Sequence, residues 1–428
     1  MSMAPRTVSS ILLVVASSPC LARDLPLIEF ESAAGPTLPV IASDLHALSG
    51  ERRLIVLLPE LDAAISTDVT VPGQPDDEPF AVGGIARFAT LGDVNADGRQ
   101  DLITTAPTTG RAHVVLQFSD GSFHLGAVLP VGTSPFAPAL ADLDGDHKPE
   151  LFIPLRGEAK IAVLPNLGGG LFAAGDRIAC GTLPDSLAIA DFDKDGVPDI
   201  AVTCTGISTI QIYFGSRIDN TVRFDTPPQS LPTGSSPLGL VLSDLDGDGW
   251  LDVATACTGS SSISIYYGGP GRDFQAGAFL FAGTSPQSIV ASDLDQNGLA
   301  DLVVANPSTQ MLTVLQNAGS RTYTRSTVSL PFRPSRLAAS DFDGDGRDDL
   351  FASSQTSVFT RLLINSTEVI ECPGDVTGDL RVSLTDLNAV LANFGAEDTH
   401  ADANGDGQIN LADLNLVLAN FGAICGDE

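Results

Sequence analysis

The carboxylates of this chain gather in six short loops whose spacing suits a hard cation. The first reads Asp93-Val94-Asn95-Ala96-Asp97-Gly98-Arg99-Gln100-Asp101. The pattern D-x-[DN]-x-[DN]-[G/H]-x-x-[DE] begins again at Asp142, Asp191, Asp244, Asp293 and Asp341, at steps of 48–53 residues. Positions 1, 3, 5 and 9 offer side-chain oxygens and position 7 a backbone carbonyl. Ca²⁺ takes roughly 6–8 oxygens on a tightly turned loop, so Ca²⁺ is the expected ligand. The expected ligand sets are Asp93, Asn95, Asp97, the Arg99 carbonyl and Asp101; Asp142, Asp144, Asp146, the Lys148 carbonyl and Glu150; and Asp191, Asp193, Asp195, the Val197 carbonyl and Asp199. They continue with Asp244, Asp246, Asp248, the Trp250 carbonyl and Asp252; Asp293, Asp295, Asn297, the Leu299 carbonyl and Asp301; and Asp341, Asp343, Asp345, the Arg347 carbonyl and Asp349.

Two further loops of another type follow near the C-terminus, each 12 residues long and 27 residues apart. Their expected ligands are Asp375, Thr377, Asp379, Arg381, Ser383 and Asp386, then Asp402, Asn404, Asp406, Gln408, Asn410 and Asp413. Each precedes nearly the same amphipathic stretch, Leu387–Gly395 and Leu414–Gly422, whose glycine ends a predicted helix. An EF-hand would have an entering helix and Glu at position 12. Here the entering helix is missing and Asp stands at 12.

Other chemistry has little support. His46, His113, His124, His147 and His400 form no cluster in sequence, and His147 lies inside a metal loop. No phosphate-binding glycine loop or nucleophile elbow is present. The paired Asp residues sit in metal-loop context, which favours ligation over a glycosidase dyad. Trp250, the only tryptophan, is expected to shield its loop.

The elements that position the six loops follow a fixed order. Around Asp293, residues 286–292 lead into the loop and 301–305 leave it. Residues 311–315 and the more polar 322–328 then complete a four-stranded unit. A repeat near 50 residues of this kind predicts a propeller. Gly132, Gly181, Gly234 and Gly283 open a G-x-x-P turn ten residues ahead of four of the loops, a second marker in register with the first. A degenerate unit precedes them: Asp44 lies 49 residues before Asp93, and residues 54–59 match 102–107, but the acidic ligands are missing. That unit is expected to bind no metal. The strand-like residues 27–32 are expected to complete the last unit and close the ring.

Composition agrees with a turn-rich β protein: 43% hydrophobic, 18% charged, 42 Gly and 28 Pro. A net charge of −31 argues against nucleic acid or anionic membrane as a partner. Arg6, the apolar run 11–16 and Cys20-Leu21-Ala22 resemble a secretory signal cleaved before Arg23, and no membrane insertion is expected. Cys372 and Cys425 bracket the last segment and are expected to pair. Cys180 could reach Cys204, leaving Cys257 odd, or all three could be free buried thiols.

Residues 23–366 resemble the FG-GAP/VCBS repeats of integrin-α-type propellers, through the six loops. Residues 372–428 resemble a type I dockerin, through the duplicated D-x-[NT]-G-D-x-x-[VI]-[NS]-x-x-D-L. These resemblances imply a mainly β chain: a signal peptide over 1–22, a seven-bladed β-propeller over 23–366, a linker over 367–371 and a small all-α dockerin-like domain over 372–428 with paired EF-hand-like loops. They imply Ca²⁺ on one rim and a cohesin-like or cell-surface partner for the second domain. Leu380 replaces the usual glycine at position 6 of its first loop. The expected function is a secreted or cell-surface, non-enzymatic adhesion or recognition module. Its glycan or peptide ligand would lie on the face opposite the metal rim, at hydroxyls such as Thr205, Ser208, Thr258 and Ser261. The alternative is a carbohydrate-active enzyme, a polysaccharide lyase or glycoside hydrolase, with Glu158 as the one titratable acid on those turns.

Overall fold

The computed structural model describes residues 40–42, 53–58, 63–68, 80–219, 221–341, 347–354, 360–363, 365, 382, 384–394, 403 and 409–421. The chain divides into two compact units, 1–365 and 366–428.

Unit 1 is built from consecutive antiparallel sheets, each made of strands paired in chain order. The first holds Val40–Ala42, Arg53–Leu58, Ala63–Asp68 and Phe80–Ala81. The second holds Phe88–Gly92, Asp101–Ala106, Arg111–Gln117 and Phe123–Pro130. The third holds Ala139–Ala141, Glu150–Leu155, Lys160–Leu164 and Arg177–Ala179. The fourth holds Pro184–Ala190, Asp199–Cys204, Thr209–Tyr213 and Gln229–Pro232. The fifth holds Pro237–Ser243, Asp252–Cys257, Ser262–Gly269 and Asp273–Ala276, with Leu280–Phe281 also on its third strand. The sixth holds Ser288–Ser292, Asp301–Asn306, Met311–Asn317 and Tyr323–Ser329. The seventh holds Pro334–Ser340, Asp349–Ser354 and Thr360–Leu363.

The strands expected around Asp293 are those of the sixth sheet, within two residues at each end. The degenerate unit also forms a sheet, with residues 54–58 on its second strand. The strand expected over 27–32 lies outside the described residues, as do the signal segment, Asp44, Cys372 and Cys425.

Burial explains the sequence pattern. Every residue of the second strand is buried in the second to seventh sheets. Such a strand is covered on both faces, so it reads as a continuous apolar run rather than an alternation. The covering comes from neighbouring sheets. Val94, Ile103 and Val114 pack with Leu151, Ile153 and Ala162 of the next sheet, and Val303, Leu312 and Val314 pack with Leu350, Ala352 and Leu363. The fourth strands Phe123–Pro130 and Tyr323–Ser329 are largely exposed, and the second is polar, which blunts its free sheet edge. First strands of successive sheets lie side by side from the second sheet to the seventh, and Pro334–Ser340 of the seventh lies against Val40–Ala42 of the first. The last sheet thus meets the first, which makes a propeller-like β fold.

Unit 2 contains helices α1 (Leu384–Ala392) and α2 (Leu411–Ala419). Val382, Val390, Ile409 and Val417, two from each half of the sequence repeat, form one small core. These helices are short, and no helix of the described residues is long and apolar enough to cross a membrane.

Candidate metal centre

Each acidic loop joins the first strand of a sheet to its second, so all lie at one end of unit 1. Their backbone is wound alike. Position 4 is left-handed at Ala96, Gly145, Lys194, Gly247 and Gln296, and position 6 at Gly98, His147, Gly196, Gly249 and Gly298. These turns direct N–H groups inward. The position-1 carboxylate accepts from the N–H of position 6 in all five loops, at 2.8 Å for Gly98, Gly196, Gly249 and Gly298 and 2.9 Å for His147. The position-5 side chain accepts from the N–H of position 7 at 2.8–3.0 Å for Arg99, Lys148, Val197, Trp250 and Leu299.

The acidic side chains converge as the spacing predicts in three loops. Ligand atoms of Asp142, Asp144 and Asp146, of Asp191, Asp193 and Asp199, and of Asp244, Asp246 and Asp248 lie within 4.8 Å of one another in each group. Oxygens around a Ca²⁺ at about 2.3–2.6 Å can be no more than about 5 Å apart, so these sets fit a bound cation. The first and fifth loops carry Asn95 and Asn297 in place of one acid. Asp343 and Asp345 lie outside the described residues. So do Asp375, Thr377, Asp379, Arg381, Ser383, Asp402, Asn404, Asp406 and Gln408 of the second unit.

Position 9 has a second task that the sequence pattern does not announce. Its carboxylate takes the N–H of position 2, from Val94 on Asp101, Leu143 on Glu150, Phe192 on Asp199, Leu245 on Asp252 and Leu294 on Asp301, at 2.7–3.2 Å. The other oxygen takes an N–H at the end of the third strand or just past it, from Gln117, Gly215, Gly268 and Asn317 at 2.7–2.9 Å, and from Asn365 on Asp349 at 2.7 Å. The residue is therefore a clasp as well as a candidate ligand. Burial pushes the Asp101 and Asp301 carboxyls up to about 6 and those of Asp199 and Asp252 up to about 7, despite these hydrogen bonds; nearby acids add to the rise. Burial raises Glu150 as well.

Neighbouring sheets reach into the loops. Asn166, Asn317 and Asn365 each donate through Nδ2 to the position-2 carbonyl of the preceding loop, at Val94, Leu245 and Leu294 (3.1, 2.6 and 2.6 Å). Arg272 and Arg321 come from hairpins of the fifth and sixth sheets to the position-3 carboxylates of Asp193 and Asp246. Lys194 donates to the Gly249 carbonyl at 2.6 Å and stands 4.2 Å above the Trp250 ring.

In the second unit, Asn410 caps α2. Its side chain accepts from the Ala412 N–H, and its own N–H donates to Asp413 at 2.8 Å, forming a capping box. Asp386 and Asp413 are both fully buried. Positions 9 and 12 of the last loop thus also set the helix start.

At the opposite end of unit 1, two of the hydroxyls expected to meet a ligand are committed elsewhere. Thr205 donates to the Pro237 carbonyl at 2.9 Å and Thr258 to the Pro286 carbonyl at 2.5 Å, each tying its turn to the next sheet. Ser208 and Ser261 occupy left-handed turn positions. Glu158 accepts the Thr133 N–H at 2.8 Å. Cys180, Cys204 and Cys257 are free thiols, and Cys204 donates to Gln211 Oε1 at 3.5 Å.

A propeller-like β fold with repeated acidic loops at one end defines the class. The model of the FG-GAP-like repeat matches residues 93–153, 191–255, 244–304 and 293–352, just over half of the chain, and the chain belongs to that family. No curated protein matches. Among solved structures, the chain is similar to BBS1N, solved in complex with ARL6DN (TM-score 0.58, 13% identity, 82% of this chain and 99% of that one). It is also similar to a streptogramin B lyase (0.53, 13%, 78% and 95%). A third is a putative 6-phosphogluconolactonase from Bacteroides uniformis (0.51, 14%, 73% and 90%). At these identities the likeness is one of fold.

Proposed function

We propose that this chain is a secreted, Ca²⁺-stabilised, seven-bladed propeller that recognises a ligand without transforming it, and that its second unit docks it to a cohesin-like or cell-surface partner. The observation that carries the metal half is the convergence of three carboxylates in each of three loops, on a backbone wound identically in five. Oxygen donors of this charge and flexibility suit Ca²⁺ rather than a softer metal. The bound ion would supply positive charge that lets clustered carboxylates stay ionised at one rim. The docking half is supported by a duplicated apolar face. Leu384 and Leu411 are 64% and 63% exposed, Leu391 and Leu418 51% each, and Phe394 and Phe421 47% each. These side chains are large, apolar and paired by the 27-residue repeat, a composition suited to a protein partner.

Two measurements test the reading. The first follows thermal unfolding with and without EDTA, together with elemental analysis. A melting curve indifferent to EDTA and a protein free of calcium would sink it. The second compares the full chain with one ending at residue 370 for capture by cohesin-like and cell-surface fractions. The shortened chain should still unfold cooperatively and lose capture. A polysaccharide panel read for both binding and unsaturated product separates recognition from catalysis, and turnover would favour the enzyme.

A further inference from the structure

At the end of unit 1 opposite the acidic loops, the sheets open onto a cavity of about 400 Å³. Chain direction places it there. Each first strand runs into its acidic loop, so its opening residues, and the turn after the second strand, lie at the other end. Arg87 and Phe88 enter from the second sheet, Phe136 from the third, Asp185 from the fourth, Gln287 from the sixth and Arg336 from the seventh. Arg156 joins them from the turn after the second strand of the third sheet.

The charge here runs against that of the molecule. The chain has 53 Asp and Glu against 22 Lys and Arg, yet three guanidiniums share this cavity with one acid. That acid is partly spent, since Arg156 donates to Asp185 at 2.9 Å. Arg336 is half-buried, its one hydrogen bond among the described residues is a long 3.4 Å contact to the Ser335 carbonyl, and it leans electrostatically on the same Asp185 as Arg156. A guanidinium has five N–H donors, so one carboxylate facing two arginines leaves donors and positive charge over for a second anion. Arg87 is exposed at the mouth and has no acid partner among the described residues. Two aromatic faces lie beneath the charges: the Arg156 guanidinium stands 4.8 Å above the Phe136 ring and that of Arg336 5.5 Å above the Phe88 ring. Aromatic stacking holds a guanidinium plane in place, ready for a two-pronged grip on a carboxylate. Thr108, Ser134 and Gln287 add neutral groups that can pair with hydroxyls.

We propose that this cavity binds an acidic sugar, a uronate free or at the end of a chain, with its carboxylate held by Arg336 and Arg87 and its hydroxyls met by Thr108, Ser134 and Gln287. The volume suits a small ligand. The inference rests on the recognition reading and gives it a ligand class.

The test is calorimetric titration of the calcium-loaded full chain with galacturonate, glucuronate, glucose and a short oligogalacturonate. The uronates should bind and glucose should not. Arg87→Gln, at the exposed mouth, should weaken uronate binding about tenfold, the effect of losing one charge-assisted pair, with melting temperature and calcium content unchanged. Arg336→Gln should abolish binding if it folds, and Arg87→Gln decides the matter if it does not. Oligogalacturonate binding far tighter than the monomer would identify a chain end as the source, and equal binding the free sugar. No heat with either uronate, or equal heat with glucose, would overturn the inference. Binding of a neutral glycan in the panel without uronate binding would overturn it while leaving the recognition reading intact, whereas turnover of a bound uronide would reject the recognition reading instead.

Discussion

The guanidinium of Arg321 crosses from one sheet to the next and sits 2.7 Å from the carboxylate of Asp246, with the Tyr267 ring 4.1 Å beneath it. Arg272 does the same at Asp193, over the Phe214 ring. Both acids occupy position 3 of a loop that is a candidate metal site. The arginine neutralises from outside what a cation would neutralise from inside.

Arg321→Gln should therefore destabilise the chelated protein more than the calcium-loaded one. The pair is partly exposed, so solvent screening limits its worth to about 1 kcal/mol or less. Paired melting curves in EDTA and in Ca²⁺ measure the difference. An equal loss in both conditions would show that the arginine serves only as a strap between sheets.

The position-9 carboxyls predict opposite pH responses with and without metal. Without metal, Asp199 and Asp252 are raised to about 7 and Asp101 and Asp301 to about 6, above the ordinary value of 3.8. Between those limits the folded chain holds more protons than the unfolded one. Its stability is then fully present at low pH and falls as pH rises through about 4–7. Calcium needs the carboxylates ionised, so loaded protein should gain stability over the same rise. Melting temperature from pH 5 to 7.5 should fall in EDTA and rise in excess Ca²⁺. Parallel trends in the two series would contradict the linkage.

Asp244→Ala should remove one ion per molecule. It takes away the carboxylate that receives the Gly247, Asp248 and Gly249 N–H groups, so the loop also loses its winding. A metal count by mass spectrometry under native conditions would show the difference. The matching Asp44→Ala should leave the count unchanged, and a loss there would reassign the first unit as metal-binding.

His147→Gly should stabilise the protein. Its backbone has φ of +63° at the position where the other five loops place glycine. A side chain in that region costs about 1 kcal/mol, and His147 is almost entirely exposed, so little packing is lost. Chemical denaturation should place the variant above the parent by about that amount, with a tighter second site.

The sheets were legible because a repeat near 50 residues carries its own alignment, and because the buried second strands read as apolar runs bounded by Asp and by turns. The candidate metal loops were legible for a similar reason: adjacent residues supply most of the donors, as in Asp142, Asp144 and Asp146. What escaped depends on contacts across sheets. Asp101 is a ligand type in the pattern, but its clasp to Gln117 joins positions 16 apart and leaves no local mark. Thr205 and Thr258 look free on polar turns, yet each spends its proton on a carbonyl about 30 residues away. Arg87, Arg156 and Arg336 lie 69 and 180 residues apart along the chain, and only closure of the sheets gathers them.

The Asn166, Asn317 and Asn365 straps change where one structural unit ends and the next begins. Each asparagine satisfies a carbonyl of the loop belonging to the sheet before it, and a second carbonyl, at Pro149, Ala300 or Asp348, in its own. A segment cut out at the sheet boundaries would carry a loop whose position-2 carbonyl has lost its donor. The smallest length of chain that closes its own hydrogen bonds is thus longer than one repeat and overlaps the next. Copies gained or lost by such a protein must respect that overlap, and damage in one loop is felt first by the sheet that follows it.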